Sequence, residues 1–121
     1  MKKREITYLT DLAIITCVVQ RGVADPIVKV AREAGAQGAT VSYGRGMGVR
    51  ERLGILGVAV EVEKEVINIV VSSEQVDKIF ELMFIAGNLD TPGMGIMYIT
   101  HLEKAATYIP QEVLKKLRPP R

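Results

Sequence analysis

Three glycines at alternate positions, Gly44, Gly46 and Gly48, enclose Arg45 and Met47, and Arg50 and Arg52 follow around Glu51. Glycines so spaced leave a backbone free to turn its N–H groups toward a ligand, and the arginines add positive charge. The pattern suits a phosphate-binding edge at the end of a strand. It is not a P-loop, because no Gly-Lys-Ser/Thr follows and no long helical pattern starts there. It is not a dinucleotide fingerprint either, since the glycine spacing differs and no βαβ crossover follows. A second Gly-Met-Gly stands at 93–95, after Thr91-Pro92. Read without a ligand, both triplets are turn glycines with methionines filling gaps.

Other reactive groups are sparse. His101 is the single histidine, beside Glu103, with no second histidine or cysteine ligand, so a capping or surface role is expected and no structural metal. Glu61, Glu63 and Glu65 alternate along one strand face, where opposing Lys/Arg or solvation explains them better than acid–base chemistry. Cys17, the single cysteine, lies in the apolar run Leu12–Val19 and is expected to pack in the core. No activated serine or cysteine constellation is present, so an enzyme is not expected.

The chain's 121 residues fit one domain spanning 1–121 with a real core. With 48% hydrophobic and 25% charged residues it reads as an ordinary globular protein. A net charge of +2 and six aromatics give no case for nucleic acid. No signal peptide is visible after Met1-Lys2-Lys3-Arg4, and no apolar run is long enough to span a membrane. A cytoplasmic protein is expected, not itself a membrane protein.

The elements that must position these groups follow from periodicity. Residues 1–11 form a charged lead-in arm. Leu12–Val19, nearly all apolar and β-branched, suits a strand buried on both faces. Asp25-Pro26 reads as an N-cap and first helical residue, Ile27, Val30, Ala31 and Ala34 share a helical face, and Gly35 ends it. A strand spans about Gly38–Arg45. Residues 46–64 give no clear element, although Ile55–Val62 could extend a hairpin arm. A third strand alternates from Glu65. Ser72 and Gln75 resemble a capping box, opening a helix with Val76, Ile79, Phe80 and Met83 on one face and a stop at Gly87. Gly95–Thr100 is the fourth strand, and Pro110 can open a short final helix to about Leu117 within the tail 109–121.

A shift of 52 positions places Val18-Val19 on Val70-Val71, Asp25 on Asp77, Ile27 on Ile79, Ala34 on Ala86 and Gly35 on Gly87. Two matching β-α-β halves indicate an α+β, ferredoxin-like βαββαβ sandwich, a four-stranded antiparallel sheet with two helices on one face. The other face lacks a cover, yet both alternating sets of the first strand are apolar. Self-association through the open sheet face is expected, with the short C-terminal helix covering part of it.

The βαββαβ order, the run Gly35-Ala-Gln-Gly-Ala-Thr-Val-Ser42, the Gly-x-Gly after it and the Gly-x-Gly before the fourth strand resemble the PII signal-transduction superfamily over residues 12–108. The resemblance implies a homotrimer that binds an adenine nucleotide (ATP, ADP or AMP) in clefts between subunits. It also implies a loop between the second and third strands, the T-loop, that controls a target enzyme or membrane transporter, in nitrogen metabolism or transport. By the same resemblance Thr40 takes the adenine-side threonine position. Gly46, Met47 and Gly48 form the T-loop base, with Arg50 beside it, and Gly93, Met94 and Gly95 form the B-loop. Departures accompany these matches. Ile96 replaces the B-loop lysine, Val49 stands where a phosphate-contacting arginine is usual, and Ala105-Ala106-Thr107-Tyr108 lacks the C-terminal arginines. Arg45, Arg50 and Arg52 could compensate. Segment 49–63 is shorter and more apolar than a usual T-loop and holds no tyrosine. It either packs on its own subunit as a β-arm or docks a partner through Arg52, Leu53, Ile55 and Leu56.

Two function classes follow. One is a nucleotide-gated regulator whose loop position reports occupancy to a target. The other is a trimeric interaction module of the same fold that has lost nucleotide binding. A β-branched residue at Gly95 is expected to abolish binding in the first and leave assembly intact in the second.

Overall fold

The computed structural model describes residues 6–46, 62–108, 110 and 112. The expected arm over 49–63, apart from Val62 and Glu63, and the final helix to Leu117, apart from Pro110 and Glu112, lie outside the described residues. Among these residues the elements run in the order β1 (Tyr8–Leu9), β2 (Leu12–Gln20), α1 (Ala24–Glu33), β3 (Thr40–Gly46), β4 (Val62–Ser72), α2 (Val76–Ala86), β5 (Gly95–His101) and β6 (Ala105–Ala106). β2 to β5 form one antiparallel sheet in the order β3-β4-β2-β5, the expected ferredoxin-like sandwich. The lead-in arm is more than a lead-in. Its β1 pairs antiparallel with β6, Tyr8 opposite Ala106, and Lys104 Nζ sits 4.8 Å from the Tyr8 ring centre. Two-residue strands carry no readable period, so sequence gave no sign of them.

Strand alternation sorts the core. Ala13, Ile15, Cys17 and Val19 of β2 and Ile67, Ile69 and Val71 of β4 point to the helices, where Ile27, Ala31, Val76, Ile79 and Met83 cover them. All are buried, which is why β2 and β4 take the two central positions. The opposite face carries Ile14, Val18, Val66, Val70, Ile96 and Tyr98, with neither α1 nor α2 over them; among the described residues Val70, Ile96 and Tyr98 are exposed. Across its middle runs a polar row, Thr40–Asn68–Thr16–Tyr98.

Two helix-start expectations are corrected. Helix α1 starts at Ala24, with Val23 as N-cap and no side-chain cap bond, so Asp25 lies in the first turn. The carboxylate that serves this end is distant in sequence: Glu65 Oε1 accepts from the Gly22 N–H and, at 3.4 Å, from the Ala24 N–H. The Ser72–Gln75 capping box does not form. Ser72 is still in the β4 ladder opposite Leu12, its Oγ lies 3.5 Å from Gln75 Oε1, and Gln75 makes no side-chain cap bond. The stop expected at Gly87 holds, Gly87 being the C-cap of α2, and the chain then turns at Asn88, at φ 53°. The Asn88 N–H donates to Ile85 C=O and Leu89 N–H to Phe84 C=O, matching Gly35 to Arg32 and Ala36 to Ala31 after α1. Gly87 is glycine for packing, since a Cβ there would come within 2.8 Å of Ile27 Cδ1.

Candidate functional site

The sheet register fixes where the sequence-predicted residues stand. Gly46 closes β3 opposite Val62, and Gly95 opens β5 opposite Val19, so the two glycine turns share one end of the sheet. They sit on opposite edges, however, because β4 and β2 lie between β3 and β5. Three strand spacings separate the two edges by roughly 14 Å. Thr40 is at the other end of β3, six residues from Gly46, or roughly 20 Å along the strand. The described members of the set are therefore not brought together within one chain. Met47, Gly48, Arg50, Arg52, Leu53, Ile55 and Leu56 lie outside the described residues.

The 93–95 turn is held by its neighbours. Gln20 Nε2 donates to Gly93 C=O at 2.9 Å, and half-buried Met94 packs against the core while its N–H donates to Thr91 C=O at 3.3 Å. Gly95 has φ 152°, and a Cβ there would stand 2.3 Å from Val18 C=O. That overturns the expectation for a β-branched residue at Gly95. It would collide with the β2 backbone and damage the sheet, so it cannot separate binding from assembly. Ile96, next along, faces the open side opposite Val18 and is exposed.

Thr40 lies opposite Asn68 on the open face, and Asn68 Oδ1 accepts from Thr16 Oγ1 at 2.8 Å. This bond orients the amide, with Oδ1 toward Thr16. Sequence reading passed over Thr16, Asn68 and Gln20. A signal was there: Thr16 and Asn68 are polar residues in the middle of apolar strands, and they are 52 positions apart, the offset of the internal repeat.

On the helix-bearing side of the same sheet end, Arg21 Nη1 pairs with Glu63 Oε2 at 2.5 Å, the opposing cation expected for the glutamate row. The hydrogen bond to Glu63, with its negative charge, raises the Arg21 pKa. Arg45, opposite Glu63 in the register, points to this side as well. Cys17 is fully buried, and loss of hydration pushes its pKa to about 11. His101 ends β5 opposite Ala13, exposed. Among the described residues no group of three or more His, Cys, Asp or Glu side chains could hold a metal ion, and no helix is long and apolar enough to cross a membrane.

A family model described as nitrogen regulatory protein P-II matches residues 12–112. The chain belongs to the P-II family. The solved structure of Arabidopsis thaliana PII bound to citrate is similar, with a TM-score of 0.63 at 19% identity, covering 78% of this chain and 79% of that one. At that identity the likeness speaks for the fold. No curated protein sequence matches the chain. P-II family proteins are signalling regulators rather than enzymes.

Proposed function

We propose that this P-II protein is a homotrimer that binds an adenine nucleotide (ATP, ADP or AMP) in clefts between subunits and regulates a target protein through the segment between β3 and β4. The target would be an enzyme or a membrane transporter, in nitrogen metabolism or transport. One observation carries the reading: the two glycine turns share a sheet end but occupy opposite edges. A rotational ring of subunits sets the β3 edge of one chain beside the β5 edge of the next, so that Gly46, Met47, Gly48 and Arg50 from one meet Gly93, Met94 and Gly95 from the other. Thr40, down the open face, would then lie at the base end of the nucleotide. The uncovered apolar face of Ile14, Val18, Val66, Val70, Ile96 and Tyr98 gives such a ring its driving force.

A second reading rests on Ile96. An exposed isoleucine stands where a cation would meet phosphate, which favours a trimeric interaction module without nucleotide binding. Calorimetric titration with ATP, ADP, AMP and citrate, with and without magnesium, separates the two. Light scattering supplies the assembly, about 40 kDa for three chains of 13.3 kDa. One nucleotide per subunit supports the regulator; a stable trimer that gives no heat with any nucleotide supports the module. Ile96→Lys sharpens the test. One charge-assisted phosphate contact contributes roughly 1.5–3 kcal/mol, so ATP affinity should rise about tenfold or more while AMP affinity changes little. An unchanged ATP affinity in a trimer that binds ATP would remove the 93–95 turn from the phosphate site.

A further inference from the structure

We infer that the cleft formed by Arg21, Tyr43, Gly44, Arg45 and Glu63 is a second, separate anion site, taking the phosphate or carboxylate group of a small ligand on the helix-bearing side of the sheet. The cleft measures about 340 Å³ and opens to solvent, ample room for a small anion. Its parts come from three elements: the loop after β2 gives Arg21, the end of β3 gives Tyr43 and Arg45, and the start of β4 gives Glu63.

Three features make it more than a charged surface. Glu63 is directly opposite Arg45 in the ladder, yet its Oε2 is taken by Arg21 from across the sheet end. Arg45 is consequently left with no ion pair or hydrogen bond among the described residues, its five N–H donors uncommitted. Meanwhile Arg21, bonded to Glu63 through Nη1, lines the same cleft, and a planar guanidinium is suited to pair with an oxyanion. The Tyr43 hydroxyl, on an exposed side chain in the same cleft, supplies a further donor. The lining carries two guanidinium groups and one carboxylate, and the Glu65 carboxylate, also felt by Arg21, is engaged by the Gly22 N–H. Since side chains alternate along β3 and β4, this cleft faces away from the open sheet face, so it is distinct from the clefts proposed for nucleotide and does not depend on them.

The test follows the arginine Nε–Hε signals of ¹⁵N-labelled full-length protein during addition of inorganic phosphate or succinate, with sodium chloride at matched ionic strength as the control. Saturable movement of the Arg21 and Arg45 signals with phosphate or succinate, and none with chloride, is expected. Arg45→Gln should weaken this binding about tenfold, the loss of one charge-assisted contact pair. Glu63→Gln should tighten it several-fold by removing the competing negative charge. Arg45 is exposed and Glu63 half so, and the backbone amide spectrum checks that each variant stays folded. Shifts that track ionic strength alone, or saturation that is the same in Arg45→Gln, would overturn the assignment. Nucleotide titrations read a different site, so failure here and failure of the nucleotide reading are told apart.

Discussion

Removing the Glu65 carboxylate should unfasten the start of α1. Glu65 is only 7% exposed, and its Oε1 serves both the Gly22 and the Ala24 N–H groups, which no local side chain caps. The Gly22 bond counts as one charge-assisted hydrogen bond, roughly 1.5–3 kcal/mol, while the 3.4 Å contact to Ala24 adds a few tenths at most. The carboxylate also sits against the positive end of the helix dipole, a gain of roughly 0.3–1 kcal/mol. Against these stands the hydration that the freed N–H groups recover, since this end of the sheet borders solvent. Glu65→Ala should therefore cost about 2–3 kcal/mol, and Glu65→Gln, which keeps an acceptor oxygen but loses the charge, about 1 kcal/mol. Urea unfolding at one fixed protein concentration measures both, the concentration being held because assembly contributes to stability. Amide exchange should accelerate at Ala24–Ile27 before the rest of the domain. If Glu65→Ala falls within about 0.5 kcal/mol of wild type, or if Gln proves as costly as Ala, the capping account is wrong.

Gly95→Ala should destabilise by about 3 kcal/mol or more, since its Cβ meets Val18 C=O at 2.3 Å at a φ of 152°; a urea midpoint unchanged from wild type would refute that contact. Cys17 gives the pH dependence. Its folded pKa of about 11 lies above that of an exposed thiol, so the native state keeps a proton that the unfolded chain gives up. This contribution is whole below about pH 8.5 and is lost as pH rises toward 11, by up to about 1.4 kcal/mol per pH unit. Cys17→Ser or Cys17→Ala should flatten that alkaline decline. At pH 8 the native thiol should resist a disulfide reagent that labels it at once in guanidinium chloride.

The sandwich was legible because its signals are local and repeated. β2 and β4 read as apolar runs, the helices as 3.6-residue faces, and Ile27, Ile79 and Met83 sit where those faces meet. What could not be read depends on partners far along the chain. Nothing around Glu65 marks it as the cap of a helix 41 residues earlier. Ser72 and Gln75 have the right spacing for a capping box, yet Ser72 is claimed by the ladder opposite Leu12. Gly87 was legible as the stop of α2, but its packing against Ile27 is invisible without the fold. At the candidate site the types were legible and the faces were not. Arg45 could be named as a cation, but only the register of β3 shows which side of the sheet it takes.

The internal repeat bears on how the two Gly-Met-Gly triplets arose. Ladder partners of β2 and β4 sum to 84, and repeat partners differ by 52; the two conditions meet only at Thr16 and Asn68. The pseudo-two-fold axis therefore passes between them, and it turns Thr40 onto Tyr98, the outer members of the same row. From β3 to β5 the offset is thus 58, six more than between the inner strands; the turn after α2 is longer than the one after α1, and β5 joins the sheet three residues before Tyr98. Under that symmetry Gly46 corresponds to Lys104, not to Gly93. The two triplets, 47 positions apart, are not copies of one ancestral turn. They share a sheet end because β3 leaves the sheet where β5 joins it. Duplication does not account for two alike turns at that end, whereas a ligand held between the β3 edge of one subunit and the β5 edge of the next would demand such turns at both.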